Sequence, residues 1–268
     1  MKDAPSSDVT HAASGARPIG TTDEASAARS VQSMFDGIAP RYDLLNHVLS
    51  LGVDSLWRRR VARTFCDVLR QPDARILDLC CGTGDLALAF NRWRPKNSEP
   101  IIAADFSHQM LLRAQRKFAG RNIRTLEADA MHLPLADSSI NLAVSAFGFR
   151  NLVNYRDALR ELHRVLAPGG QLGILEASEP QGALGRLYRV YFHTVLPKVG
   201  AAISHNADAY RYLPASVDRF PAPPALLATM NDIGFSAAQW TVYTFGIASL
   251  FRATKPAYPS VKSLYAIS

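Results

Sequence analysis

Cysteine is scarce in this 268-residue chain: there are three, and two of them are adjacent, Cys80 and Cys81. That excludes a disulfide framework and a Cys-x-x-Cys zinc pair, and it fits a reducing, cytoplasmic setting. Long apolar runs are missing too, since none reaches the roughly 18 residues of a membrane-spanning helix. Charged residues make up only 20% of the chain against 48% apolar ones, enough apolar side chain for a sizeable core. Wholesale disorder is excluded. Acidic charge is in deficit, with 23 Asp+Glu against 30 Lys+Arg and a net charge of +7. The surplus allows an anionic partner such as nucleic acid, an anionic lipid surface or an acidic ligand. No interleaved aromatic and basic RNA-binding motif accompanies it, so nucleic acid is not expected.

Residues 1–24 are rich in Ala, Ser, Thr, Gly and Pro, show no apolar periodicity, and read as a flexible tail. No apolar stretch follows Lys2 as in a signal peptide. Asp3, Asp8, Asp23 and Glu24 break the acid-poor rule of transit peptides. Val31, Met34, Phe35 and Ile38 then fall at helical spacing until Pro40 interrupts. Leu44, Leu45, Val48 and Leu49 predict a second short helix, and Leu56, Trp57, Val61 and Phe65 a third; residues 25–72 form a helical cap. Beyond it, apolar runs at 75–80, 101–106, 123–128, 142–147 and 172–177 alternate with helical stretches at 86–93, 110–118 and 155–166. This βαβα rhythm predicts a mostly parallel sheet with helices on both faces. Ala167-Pro168-Gly169-Gly170 reads as a helix stop and turn. Residues 180–223 read as a helical, aromatic and basic insertion. A helix at 225–233 and strands at 239–244 and 248–253 follow. With only Phe245-Gly246-Ile247 between them, the two strands predict an antiparallel hairpin at the sheet edge. One domain spans 25–255, and 256–268 form a C-terminal tail.

The segment Ile76-Leu77-Asp78-Leu79-Cys80-Cys81-Gly82-Thr83-Gly84-Asp85-Leu86-Ala87 runs from a buried strand through a glycine turn into a helix. Gly82 and Gly84 let a ligand approach the backbone where a Cβ would collide. Gly82-x-Gly84-x-x-Ala87 satisfies the dinucleotide fingerprint, so a nicotinamide or flavin enzyme competes. Charge separates the readings. A diphosphate needs a helix N-terminus free of anions, whereas Asp78 and Asp85 bracket this loop and favour a ligand carrying positive charge. S-adenosylmethionine, with its ammonium and sulfonium, is such a ligand. Asp105 closes the next strand, roughly 20 residues on, where either cofactor's ribose would be held. Asp129 closes the third strand and is placed to receive an adenine amino group. Each Asp alone also suits a helix N-cap or a turn; three at successive strand ends point to a ligand.

Five segments carry a family resemblance over residues 31–254. They are Tyr42-Asp43-Leu44-Leu45-Asn46 with Ser50 and Trp57, the loop Asp78 to Leu86, Phe147-Gly148-Phe149-Arg150-Asn151, Arg164 to Gly170, and Asn206-Ala207-Asp208-Ala209-Tyr210-Arg211-Tyr212-Leu213. Together they resemble the menaquinone/ubiquinone C-methyltransferase family of class I S-adenosylmethionine-dependent methyltransferases. Leu45 stands where that family usually has Met, and Asp54 where His is common. The resemblance implies a Rossmann-like α/β sheet, and a cofactor site lined by Thr83, Asp105, Asp129 and Ala130. Cys80 takes the place of the wider class's first glycine, which would keep the backbone further from the cofactor. Ala146 replaces a cofactor-contacting Ser, leaving Ser145 beside it as the substitute.

The implied reaction transfers a methyl group to a ring carbon of a polyprenylated quinol, with demethylmenaquinol expected and a 2-polyprenyl-6-methoxy-1,4-benzoquinol as the alternative. The carbon must be aligned with the S–CH₃ bond, and it attacks well only once a ring hydroxyl, with a pKa of about 10 in a free phenol, loses its proton. A proton acceptor or a cation beside the phenolate is therefore needed. Arg150 is the first candidate for the cation, with an ion pair to an acid such as Asp157 as the structural alternative. Asn151 would position an oxygen or a water, and Asp85 would accept a proton through water. Tyr42 and Asp208 are further candidates. His205 reads as structural, Cys80 and Cys81 as packing residues, and no metal is expected. Phe35, Leu51, Trp57, Tyr188, Tyr191, Phe192 and Leu196 would cover the ring and first prenyl units. Arg58, Arg59, Arg60, Arg186 and Arg189 would attract an anionic membrane or serve as solvated helix faces. A homodimer is allowed.

Overall fold

The computed structural model describes residues 15–43, 50, 52–178, 180 and 207–257, with 185, 191 and 194 as single positions. Helix α1 spans Glu24–Ile38 and starts with a capping box, in which Asp23 accepts from the Ser26 amide and the Ser26 hydroxyl accepts from the Asp23 amide. Helix α2 (Val53–Thr64) and the short α3 (Cys66–Leu69) follow. The helix expected around Leu44–Leu49 lies outside the described residues. The alternating region then forms β1 (Ile76–Leu79), α4 (Asp85–Asn91), β2 (Ile101–Asp105), α5 (His108–Lys117), β3 (Ile123–Glu127), β4 (Ile140–Ala146), α6 (Tyr155–Val165) and β5 (Leu166–Ala177). Helices α7 (Ala207–Arg219) and α8 (Pro223–Ile233) precede β6 (Ser236–Tyr243) and β7 (Ala248–Thr254).

The seven strands lie in the order β3-β2-β1-β4-β5-β7-β6. The first five are parallel, and β7 runs antiparallel between β5 and β6. Helices cover both faces, so β1 is buried along its whole length, as a central parallel strand should be. One core packs Val61, Phe65, Phe90 and Leu142 around Ile76; the other packs Leu159, Leu162 and Met230 around Leu77 and Leu79.

Two expectations shift in detail. Ala167-Pro168-Gly169-Gly170 does not end in a separate turn; it is an irregular stretch within β5, where Gly169 adopts φ +79° and the register with β4 slips. The β6–β7 connection runs over Thr244–Ile247, one residue longer than the expected strand bounds allow, because the first strand ends at Tyr243. Within residues 1–24, packing is present by Ala16, which is buried and donates its amide to the Leu152 carbonyl at 2.7 Å.

Candidate active site

The sheet order reverses on either side of β1, with β2 to one side and β4 to the other. Ligands of open α/β sheets bind at that crevice, beyond the strands' C-terminal ends. Both flanking strands end in a left-handed non-glycine residue: Cys80 after β1 (φ +54°) and Phe147 after β4 (φ +59°). Each costs about 1–2 kcal/mol, and such residues gather at functional sites. The two ends interlock, because a Cβ on Gly148 would sit 2.3 Å from the Cys80 Cβ. Above them opens a cavity of about 310 Å³, roofed by Ala28, Gln32 and Phe35 of α1. Cys80 thus takes the backbone conformation a glycine would take and lines the cavity. Burial pushes its thiol well above the ordinary range, so it stays a neutral wall group.

On the β2 side, Asp105 lines the cavity with its carboxylate fixed by two backbone amides, Gly82 at 2.8 Å and Ser107 at 2.9 Å. Burial pushes its pKa up to about 6, against the lowering effect of those amides. A carboxylate has about four acceptor sites, so Asp105 retains capacity for a diol. Asp129 and Ala130 line the cavity beyond it, with Asp129 Oδ1 accepting from the Met131 amide at 2.9 Å. The two loop glycines serve different ends. Gly82 lines the cavity at φ +54°. Gly84, at φ +87°, lies off it, and a Cβ there would sit 2.1 Å from the Phe118 ring. Gly84 is therefore a packing requirement and not a point of ligand approach.

The remaining acidic loop residues point elsewhere. Asp78 is fully buried beneath the loop, where Oδ2 accepts from the Ala87 amide at 2.9 Å and Oδ1 has no hydrogen-bond partner. Burial pushes its pKa up to about 8, so at neutral pH it is mostly uncharged. Asp85 pairs with Lys117 at 2.8 Å and with Arg58 at 3.6 Å, off the cavity. Thr83 is buried between Asp43, to which its hydroxyl donates, and Lys117 Nζ at 2.9 Å. Asp78 and Asp85 do not face the cavity as two bracketing anions: one is buried beneath the loop and the other is held in salt bridges. Asp105 is the carboxylate of the β2 end that lines the cavity.

On the β4 side, residues 149–151 form one 3₁₀ turn. Arg150 is buried and committed to Glu176: Nη1 donates to Oε2 at 2.9 Å, and its backbone amide to Oε1 at 3.0 Å. Its Nε donates to Ser216 Oγ of α7 at 3.3 Å, and Nη1 also donates to the Phe147 carbonyl. Burial alone would lower the Arg150 pKa; the Glu176 carboxylate overrides it and holds the guanidinium above its ordinary value. The partner is Glu176 rather than Asp157, whose amide donates to the N-cap Asn154 of α6 and whose carboxylate accepts from Asn154 Nδ2. Arg150 does not line the cavity, while Asn151 and Tyr42 do. Asn151 Oδ1 is buried without a hydrogen-bond partner, and its Nδ2 reaches the Phe147 carbonyl at 3.5 Å. The Tyr42 ring stands edge-on to Phe35 at 6.1 Å. Ser145 is buried off the cavity.

The cavity brings together Tyr42, Gly82, Asp105, Asp129, Ala130 and Asn151, and leaves out Asp78, Thr83, Gly84, Asp85, Ser145 and Arg150. Sequence reasoning missed Gln32, whose Nε2 donates to the Phe106 carbonyl at 2.8 Å and ties the roof to the end of β2. Its only signal was its place one residue after Val31 on an amphipathic helix. Of the expected apolar cover, Phe35 reaches the cavity, and Trp57 stands behind it with its ring 5.7 Å from that of Phe147. Leu51, Tyr188, Phe192, Leu196, Arg186, Arg189 and His205 lie outside the described residues, and Asp208 is described only by its place in α7. Among the described residues no group of three His, Cys, Asp or Glu could hold a metal, and no helix is long and apolar enough to cross a membrane. The cavity thus carries a carboxylate with acceptor capacity to spare on its β2 side and an amide oxygen without a hydrogen-bond partner on its β4 side.

The model of the ubiE/COQ5 methyltransferase family matches residues 22–255. The chain belongs to that family. It is therefore a methyltransferase, and the nicotinamide reading of the glycine loop falls away. It is 50% identical over 226 residues to the demethylmenaquinone methyltransferase of Thermus thermophilus, a match covering 83% of this chain and all of that one. It is 42% identical over 231 residues to the ubiquinone/menaquinone biosynthesis C-methyltransferase UbiE of Geotalea daltonii, covering 84% of this chain and 96% of the relative. Among solved structures, a SAM-dependent methyltransferase from Thermotoga maritima superposes with a TM-score of 0.57 at 19% identity, over 84% of this chain and 99% of that one. This last likeness shows the Rossmann-like fold of the class.

Proposed function

We propose that this methyltransferase uses S-adenosylmethionine to methylate a ring carbon of a polyprenylated quinol, with demethylmenaquinol as the acceptor. The observation that carries the reading is the division of the cavity, with the fixed Asp105 carboxylate at one end and the unpartnered Asn151 Oδ1 at the other. When bound, the cofactor supplies an electrophilic methyl group. Asp105 accepts both ribose hydroxyls, and Asp129 with the Ala130 backbone reads the adenine edge. Asn151 Oδ1 accepts a hydrogen bond from a ring hydroxyl, and Tyr42 lies against the ring. Arg150 stays with Glu176 and acts by its field, its charge favouring a phenolate in a poorly hydrated site. The α1 roof excludes water.

The relatives named as demethylmenaquinone methyltransferases favour the naphthoquinol ring over the benzoquinol one. The test incubates pure enzyme with the methyl donor and each acceptor, in quinol and quinone form, and weighs the products. One methyl is expected on reduced demethylmenaquinol and none on its quinone, whose electron-poor ring is a weak nucleophile. Transfer to the quinone form would sink the mechanism. Asn151→Ala is expected to lower kcat about tenfold, the worth of one hydrogen bond, with donor affinity unchanged.

A further inference from the structure

We propose that the outer face of α2 and the β6–β7 turn together form a docking surface for an anionic phospholipid bilayer. The inference rests on the polyprenyl tail of the proposed acceptor and concerns a part of the molecule outside the cavity.

The turn is unusual in its backbone. Thr244 and Phe245 are consecutive non-glycine residues in the left-handed region, at φ +46° and +57°. L side chains rarely adopt that conformation, and the turn it makes displays a phenylalanine that is 80% exposed. The turn is nonetheless anchored, since Ser178 Oγ donates to the Gly246 carbonyl at 2.7 Å and the Ser178 amide to the Ile247 carbonyl at 2.9 Å. A rigid turn that displays an aromatic ring has the form of an interfacial anchor.

Helix α2 is joined to the turn. Trp57 Nε1 donates to Thr244 Oγ1 at 2.8 Å, and the Arg60 guanidinium lies over the Tyr243 ring at 5.4 Å. On the outer side of α2, Leu56, Arg59, Arg60 and Arg63 fall at i, i+3, i+4 and i+7, forming one exposed stripe. Arg58 is turned inward to Asp54 and Asp85. Among the described residues no carboxylate forms an ion pair with Arg59, Arg60 or Arg63. Three outward cations beside an exposed Leu and Phe complement an anionic, partly apolar surface, which a neutral or basic partner would not match.

The position suits the chemistry. Strand β6 runs antiparallel to β7, and β7 antiparallel to β5, so β6 ends at the same sheet edge as β1 and β4, where the cavity lies. Phe147 in the cavity wall, Trp57 and Thr244 form a continuous contact from the cavity to the exposed turn. A tail leaving the cavity along this path meets the bilayer without crossing water.

The test floats the full chain with vesicles of phosphatidylcholine alone or mixed with phosphatidylglycerol. Binding to the mixed vesicles, and not to the neutral ones, is expected. Replacing Arg59, Arg60 and Arg63 together by Gln should weaken it on the order of 100-fold, each cation near a charged bilayer being worth about fivefold. Phe245→Ser should weaken it roughly tenfold. Both variants should methylate a tailless quinol at the wild-type rate, since neither change touches the cavity. Unaltered flotation of the triple variant, or equal binding to neutral vesicles, would overturn the proposal. So would sedimentation showing that Phe245→Ser turns a wild-type dimer into a monomer, which would assign the face to a second copy of the chain. A wild type that floats yet fails to methylate reduced demethylmenaquinol would sink the reaction assignment and leave the docking surface standing.

Discussion

On the β2 side of the cavity the recognition group is a carboxylate already bonded to two backbone amides, and on the β4 side it is an amide oxygen with nothing bonded to it. Backbone turns position the first, so it is set before any ligand arrives. The second sits on a single 3₁₀ turn held from behind by the buried Arg150–Glu176 pair. The difference suggests a division of labour, in which one end holds a constant nucleoside and the other a hydroxylated ring. It also explains why Arg150, the obvious cation in the segment, does not line the cavity: its hydrogen bonds are spent fixing the turn that presents Asn151.

The largest way to break this comparison is to remove one member of the buried pair. Arg150→Ala leaves Glu176 buried and uncompensated, which should cost about 3–5 kcal/mol of stability and be read as a fall in Tm together with lost turnover. Arg150→Met combined with Glu176→Leu should recover much of the Tm while turnover stays low. Recovery of turnover as well would show that the charge itself has no part in the reaction.

A smaller effect is expected on the other side. Asp105→Asn should weaken donor binding about 10–100-fold, the worth of one hydrogen bond to a charged group, without changing the response to acceptor. Its pKa of about 6 adds a pH signature. Donor affinity in the wild type should fall as pH drops below about 6, where the carboxylate gains a proton, and calorimetry on the variant should show no such fall. For stability the sign is opposite. A carboxyl with a raised folded pKa contributes most below its unfolded value of 3.8, and that contribution is lost as pH rises through about 6.

The smallest effect should come from Asp78. Its Oδ2 accepts from the Ala87 amide, which an amide oxygen would also do, so Asp78→Asn should change donor affinity by less than about threefold. It should also flatten the pH dependence of stability. The wild type gains from this group in full below about pH 4 and loses that gain as pH rises through about 8, whereas Asn does not titrate. Denaturant unfolding across that range checks it.

What could be read from the chain follows the range of the interactions involved. The βαβα order was legible because apolar period and turn residues are local, and Asp105 and Asp129 stood out as strand-ending acids in a fold that binds ligands at those ends. The place of Asp78 and Asp85 off the cavity was not legible because the contacts that hold them are not local. Burial of Asp78 depends on α4 closing over β1, and Asp85 is paired by Lys117, 32 residues away. Arg150 was legible as an important cation, but its partner lies on β5, 26 residues away, and a strand-end arginine looks the same in sequence whether it faces a ligand or a glutamate. The α1 roof had a readable apolar stripe and no local sign of what it covers.

The claim on which the account turns is that one cavity end is shaped for a nucleoside, and a crystal structure with S-adenosylhomocysteine tests it most directly. The account predicts both ribose hydroxyls on the Asp105 carboxylate, the adenine against Asp129 and Ala130, and the sulfur facing the Asn151 side. A nucleoside seated elsewhere, with Asp105 still bonded only to its backbone amides, would contradict it.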